Sequence, residues 1–132
     1  MDPARLPEGV PADVLLGVYL RSGHDTLDRL AEAVHRAREA GGEAALAEVR
    51  RLSHNFKGAS CQLGFDEVGR LAAALEQYSA ECLRGGRFPD LQGFERMERA
   101  VQGLQAGLRS IEEGTSAPDL SDVAKAIETE EP

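Results

Sequence analysis

Apolar residues recur every three or four positions along most of the 132-residue chain, the spacing of helices that bury one face. Residues 1–12 contain Pro3, Pro7 and Pro11 and read as an irregular lead-in. A short first helix follows, with Asp13 as its cap and Val14, Leu15, Val18 and Tyr19 on one side. It is expected to stop near Ser22-Gly23. A second helix, about 25–40, buries Leu27, Leu30, Ala31 and Val34 and ends at Gly41-Gly42. The third runs from about Glu43 to Leu63, with Leu46, Val49, Leu52, Phe56, Ala59 and Leu63 on its apolar stripe. Gly64 stops it, and Asp66 can cap a fourth helix, about 66–84, that turns Val68, Leu71, Ala72, Leu75 and Cys82 inward. Gly85-Gly86 closes that helix and Pro89-Asp90 opens a fifth. There Phe94, Met97, Val101, Leu104, Leu108 and Ile111 step by 3, 4, 3, 4 and 3, the seam spacing of a packed bundle.

Short connections between the last four helices imply antiparallel neighbours. The expected fold is all-α: an up-down antiparallel four-helix bundle over residues 13–113, with an additional short N-terminal helix. Thr115-Ser116-Ala117-Pro118 reads as a linker, and residues 114–132 as an acidic tail. Leu120, Val123, Ala124 and Ile127 allow a short amphipathic turn or two, but a frayed tail is the favoured expectation.

Composition agrees with one helical domain. Hydrophobic residues make up 42% and charged residues 29%, an ordinary globular mix, and good helix formers outnumber β-branched residues. The net charge of −8 disfavours binding to nucleic acid or to anionic membranes as a main function. No apolar run approaches the roughly 20 residues of a bilayer span, and Met1-Asp2-Pro3 lacks the basic start of a secretory signal. We therefore expect a cytoplasmic protein in which Cys61 and Cys82 are free thiols.

The candidate chemistry lies in the stretch His54-Asn55-Phe56-Lys57-Gly58-Ala59-Ser60-Cys61-Gln62-Leu63-Gly64. At about 100° per residue His54 points roughly 160° away from the core residue Phe56, and Arg50, Lys57, Gly58 and Cys61 fall within roughly 60° of it. An outward imidazole thus stands beside two cations and a residue without a side chain. Lys57, one turn on, can place an ammonium near a phosphate on His54, since phosphoryl transfer depends on positioning and charge neutralisation. A mid-helix glycine costs about 1 kcal/mol relative to alanine; at Gly58, access to the imidazole explains it. His54 lies ten residues before Gly64 and Glu76 twelve after it, so antiparallel packing sets both about 15–18 Å from the turn. Glu76 can then accept Nδ1–H, fixing the tautomer and leaving Nε2 as the nucleophile. The same arithmetic sets Cys61 and Cys82 too far apart for a disulfide, or for a metal site with His54.

These residues resemble the H-x-[hydrophobic]-K-G-x-S-x-x-[hydrophobic]-G signature of histidine phosphotransfer (HPt) domains, and Leu71 to Glu76 resembles that family's following helix. The resemblance covers about residues 13–112. It implies that His54 takes a phosphoryl group from a receiver-domain aspartate or a kinase and passes it on. Lys57 would assist, Gly58 would clear space, and Glu76 falls where the family places a Gln or Glu bonded to the histidine. The implied partners are a response-regulator receiver domain and a sensor or hybrid histidine kinase. No cofactor is expected on the chain itself, Mg²⁺ belonging to the receiver, and a monomer suffices. No ATP-binding domain is present, so kinase activity is expected to come from elsewhere. Leu63-Gly64-Phe65 is similar to the phosphorylated domain of chemotaxis kinases.

Around this site Arg50, Cys61 and Phe65 are candidate access or docking residues, Phe65 serving equally as a staple for the next helix. Ser60 is read as a packing residue or a partner of the Phe56 carbonyl. His24 and His35 have no Lys-Gly pair and read as ordinary histidines. Two alternatives stay open: a scaffold bundle whose histidine is incidental, and the excised phospho-accepting domain of a larger chemotaxis-type kinase.

Overall fold

Between Pro11 and Pro89 no proline interrupts the chain, and nearly all of that stretch is helical. The structure, a computed structural model, describes residues 1–114 and 120–128. Its helices are α1 (Ala12–Ala40), α2 (Glu43–Gln62), α3 (Asp66–Gly85), α4 (Leu91–Glu113) and α5 (Ser121–Glu128), with no strand among the described residues. None is long and apolar enough to cross a membrane.

The expected break at Ser22-Gly23 does not occur. α1 runs through it as one helix of 29 residues, so the separate short N-terminal helix is absent. Gly23 is a packing residue instead of a terminator. A Cβ there would stand 3.1 Å from Leu108 Cδ2 and 3.3 Å from Phe56 Cε1, which is where α1 meets α2 and α4. The start of α1 also differs: Pro11 occupies the cap position without a side-chain cap, and Asp13 lies inside the first turn.

The four long helices touch in a closed ring, α1 to α2, α2 to α3, α3 to α4 and α4 back to α1. Cross-helix pairs set their alignment. Tyr19 meets Ser60 while Gly23 meets Phe56, and His24 pairs with Glu112 while Arg38 pairs with Glu98. Leu27, Leu30, Val34, Leu46, Val49, Leu71, Leu75, Met97, Leu104 and Leu108 are almost completely buried at the centre. Asp90 caps α4 as its Oδ1 accepts from Gly93 N at 2.8 Å. At Gly86 the left-handed backbone, φ 65°, closes α3.

Two terminal segments depart from expectation. The lead-in forms a 3₁₀ turn, Pro3–Arg5, pinned to the α2–α3 connection. Asp2 N donates to Leu63 O at 2.7 Å, and the Arg5 guanidinium donates to Cys61 O and to Asp66 Oδ1, both at 2.7 Å. Gly64, with φ 88°, has no room for a side chain because Asp2 lies against it. At the other end, the part of the tail expected to fray is α5, with Leu120, Ala124 and Ile127 buried against α3 and α4. Beneath it, Gly103 and Gly107 let α3 close on α4: a Cβ would come within 2.9 Å of Leu71 at the first and 3.0 Å of Val68 at the second. The linker and the last four residues lie outside the described residues.

Ser53 Oγ is buried and has no hydrogen-bond partner among the described residues. Ser53→Ala is expected to leave the melting midpoint unchanged or raise it, by up to about 1 kcal/mol of stability, because an unpaired hydroxyl is removed with little change of shape. Ending the chain after Gly114 should lower stability by about 2 kcal/mol or more in a urea melt, because the buried side chains of α5 are lost. An unchanged midpoint would show that α5 adds nothing to the bundle.

Candidate functional site

His54 is just past the middle of α2, and its side chain is 61% exposed. Its Nδ1 lies 2.8 Å from Glu76 Oε2 on α3. An ionised carboxylate only accepts, so Nδ1 carries the proton and Nε2 keeps its lone pair toward solvent. Lys57 donates from Nζ to the other oxygen, Glu76 Oε1, at 2.7 Å. One carboxylate therefore holds both groups. In the resting chain Lys57 is engaged by Glu76 rather than by the imidazole.

Partial burial pushes the Glu76 carboxyl up, but the hydrogen bonds from Lys57 and His54 outweigh it, and the net position is below the usual carboxylate range. Its ionised form is thus the one built into the fold.

Gly58 is exposed, and a Cβ at that position would meet nothing within 4 Å. The chain itself does not demand a glycine there. Arg50 is exposed and forms no ion pair among the described residues, whereas Arg51 pairs with Glu48 at 2.7 Å. Cys61 differs from its expected outward position. It faces the seam with α3, where the missing side chain of Gly69 leaves room for its Sγ. Phe65 also turns to packing: its ring stacks on Tyr19 at 5.2 Å, and Tyr19 in turn stacks on Phe56 at 6.0 Å. Ser60 Oγ bonds the Tyr19 hydroxyl at 2.7 Å and not the Phe56 carbonyl. Burial raises that Tyr19 hydroxyl to about 12, with the Ser60 bond acting in the opposite sense, so it stays neutral.

Two exposed residues were read as inward from the sequence. Val14 and Val18 are 51% and 52% exposed. Beside Val18, a groove of about 230 Å³ runs between α1 and α2, lined on the α2 side by Asn55, Ala59 and Gln62. These positions lie one step around the helix from His54, Gly58 and Cys61. The signal was available: carrying the phase of Leu27, Leu30 and Val34 back through Gly23 to Tyr19 puts Val14 and Val18 roughly 100° or more off the inner stripe. Assuming a break at Gly23 hid it.

The model of the Hpt domain family matches residues 14–112, roughly three quarters of the chain. The chain belongs to that family. It is accordingly a histidine-containing phosphotransfer module, of a family of phosphoryl carriers that have no kinase activity of their own. Among curated proteins it is similar to the chemotaxis protein CheA of Halobacterium salinarum, at 27% identity over 101 residues. That alignment takes in 76% of this chain and 15% of the relative, so the chain spans a small part of that protein's length.

Three histidines fall within the matched Hpt region, and their surroundings separate them. His24 lies with Nε2 3.3 Å from Glu112, so the nitrogen left free at His54 is the engaged one there. His35 is exposed on α1, with no paired carboxylate among the described residues.

The depressed Glu76 pKa gives a pH test. In the unfolded chain the carboxyl takes up its proton near its ordinary value of 4.5, and in the folded chain only at lower pH. Its contribution is therefore present above about 4.5 and is lost as pH falls through the folded value. Wild type should exceed Glu76→Gln in urea stability by a constant margin between about pH 7 and pH 5, and the margin should shrink below that. A margin that stays constant to pH 3 would separate Glu76 from this titration.

Proposed function

We propose that His54 is the phosphoryl-accepting residue of this Hpt domain, exchanging the group with a receiver-domain aspartate or taking it from a kinase. The observation that carries this is the placing of an exposed imidazole with Nδ1 2.8 Å from Glu76 Oε2, which favours the tautomer that leaves Nε2 as the nucleophile. The Nε2 lone pair attacks phosphorus, the P–O bond to the aspartyl carboxylate breaks, and the carboxylate leaves with that electron pair. No proton has to move. The phosphorylated ring keeps its Nδ1–H and becomes cationic, and Glu76 faces that charge. Lys57, 2.7 Å from the same carboxylate, is near enough to turn toward the new phosphate oxygens.

In this reading the scaffold is an up-down antiparallel bundle acting as a monomer, and the receiver supplies the aspartate and its Mg²⁺. The exposed Val14 and Val18 and the adjoining groove, which lie from the imidazole toward the α2–α3 connection, serve as the apolar contact for the partner. Gly58 lets the partner's reacting group close over the ring. The similarity to one segment of a chemotaxis protein favours a kinase as one source of the phosphoryl group.

Acid-labile label from a phosphorylated receiver should appear on wild type and be lost in His54→Gln. Label retained in His54→Gln would move the site, and no label on wild type across receivers and kinases would favour a scaffold bundle. Val18→Asp should lower the rate of transfer by about tenfold while the helical signal is retained, as removal of an apolar contact at a docking surface does.

A further inference from the structure

The His54–Glu76 pair fixes how α2 and α3 align, and so which other side chains share its face. One turn from His54 toward the start of α2 stands Arg50. Two turns from Glu76 toward the end of α3 stands Arg84, about 12 Å along the axis. The antiparallel alignment takes both in the same direction from the imidazole, on either side of the seam. Both are exposed, and the surface between them is low: Ala47 is exposed and Ala80 half-buried.

Two of the nearby carboxylates are neutralised by cations, while Glu43, on the same face of α2, and Glu81, whose partner is a neutral amide, keep their charge. Glu76 is held by His54 and Lys57, Glu48 pairs with Arg51, and Glu81 accepts from Gln77. Arg50 and Arg84 form no ion pair among the described residues, nor does Arg87 just past the end of α3. In a chain of net charge −8, the three guanidinium groups of Arg50, Arg84 and Arg87 outnumber the carboxylates of Glu43 and Glu81 here, so this end of the seam leans positive. Helices in contact lie about 8–10 Å apart, and the two guanidinium groups stand on separate helices, offset by roughly one turn along the axis. Such a spacing suits a protein face that carries several carboxylates.

We propose that Arg50 and Arg84, extended by Arg87, form a cationic docking rim that selects a phosphoryl-exchange partner with a carboxylate-rich surface around its reacting group. This rests on the reading of His54 as phosphoryl acceptor and names the chemistry of its partner. The rim acts at a distance, speeding encounter and setting orientation, and its effect is expected in the association rate more than in the chemical step.

The full chain is first labelled on His54 with phosphoramidate, a small donor that needs no docking surface, and transfer from it to receiver domains is then timed. The second-order rate for wild type should fall at least about tenfold between 20 and 300 mM salt. Arg50→Glu with Arg84→Glu should lower the low-salt rate at least about tenfold and flatten the salt dependence. The Gln pair should fall between, and circular dichroism melts should show both pairs folded. Each rate is taken as a ratio to labelling by phosphoramidate, which removes any effect on the imidazole itself. A Glu pair within twofold of wild type, or a wild-type rate indifferent to salt, overturns the rim. Wild type that labels but transfers to no receiver removes the partner class and the proposal with it. Failure of wild type to label at His54 overturns the acceptor reading beneath it.

Discussion

The carboxylate of Glu76 is the point on which the site turns. It is shared between an imidazole and an ammonium, at 2.8 and 2.7 Å. Neither contact exists unless α2 and α3 are held in one alignment. That alignment is enforced well away from the polar groups, by the buried stripe of Leu46, Val49, Phe56, Leu71 and Leu75 and by the close approach of Cys61 to Gly69. A slide of either helix by one turn, about 5.4 Å, would part the pair. Apolar packing thus decides which imidazole nitrogen is available for chemistry.

Sharing also explains how an exposed histidine keeps a defined geometry. A surface ion pair between two flexible side chains contributes little because both must be ordered. Glu76 is only 18% exposed and is already ordered by its helix and by Lys57, so the imidazole is the one partner left to place. In the proposed transfer, the same arrangement keeps Lys57 close at hand when negative charge arrives on His54.

Much of this was legible in the sequence, for physical reasons that differ from element to element. Boundaries at Gly41-Gly42, Gly64 and Gly86 were readable because few other residues end a helix in this way. The nearness of Glu76 to His54 followed from counting residues on either side of a tight turn, where rise per residue leaves little freedom. Gly23 was misread because a glycine that ends a helix and one that admits a neighbouring side chain look the same until the neighbours, Leu108 and Phe56, are known. α5 was undervalued for a related reason. Eight residues are too few to be helical alone, and the surface that holds them is assembled from both α3 and α4. The angle that sets Cys61 outward ignores how close α3 comes to that end of α2, and of the two readings open for Phe65 the structure shows packing, against Tyr19.

The anchoring of the first residues has a practical side. Because the Asp2 amide donates to Leu63 and leaves no space over Gly64, anything fused just ahead of it emerges at the α2–α3 connection. Pro7 of the same segment lines the groove beside α2. A fluorophore or affinity tag at that end would crowd the approach to the imidazole. Glu128 pairs with Arg70 on a part of α3 turned away from Glu76, so the C-terminal side is the better place to attach a reporter meant to leave phosphoryl exchange undisturbed.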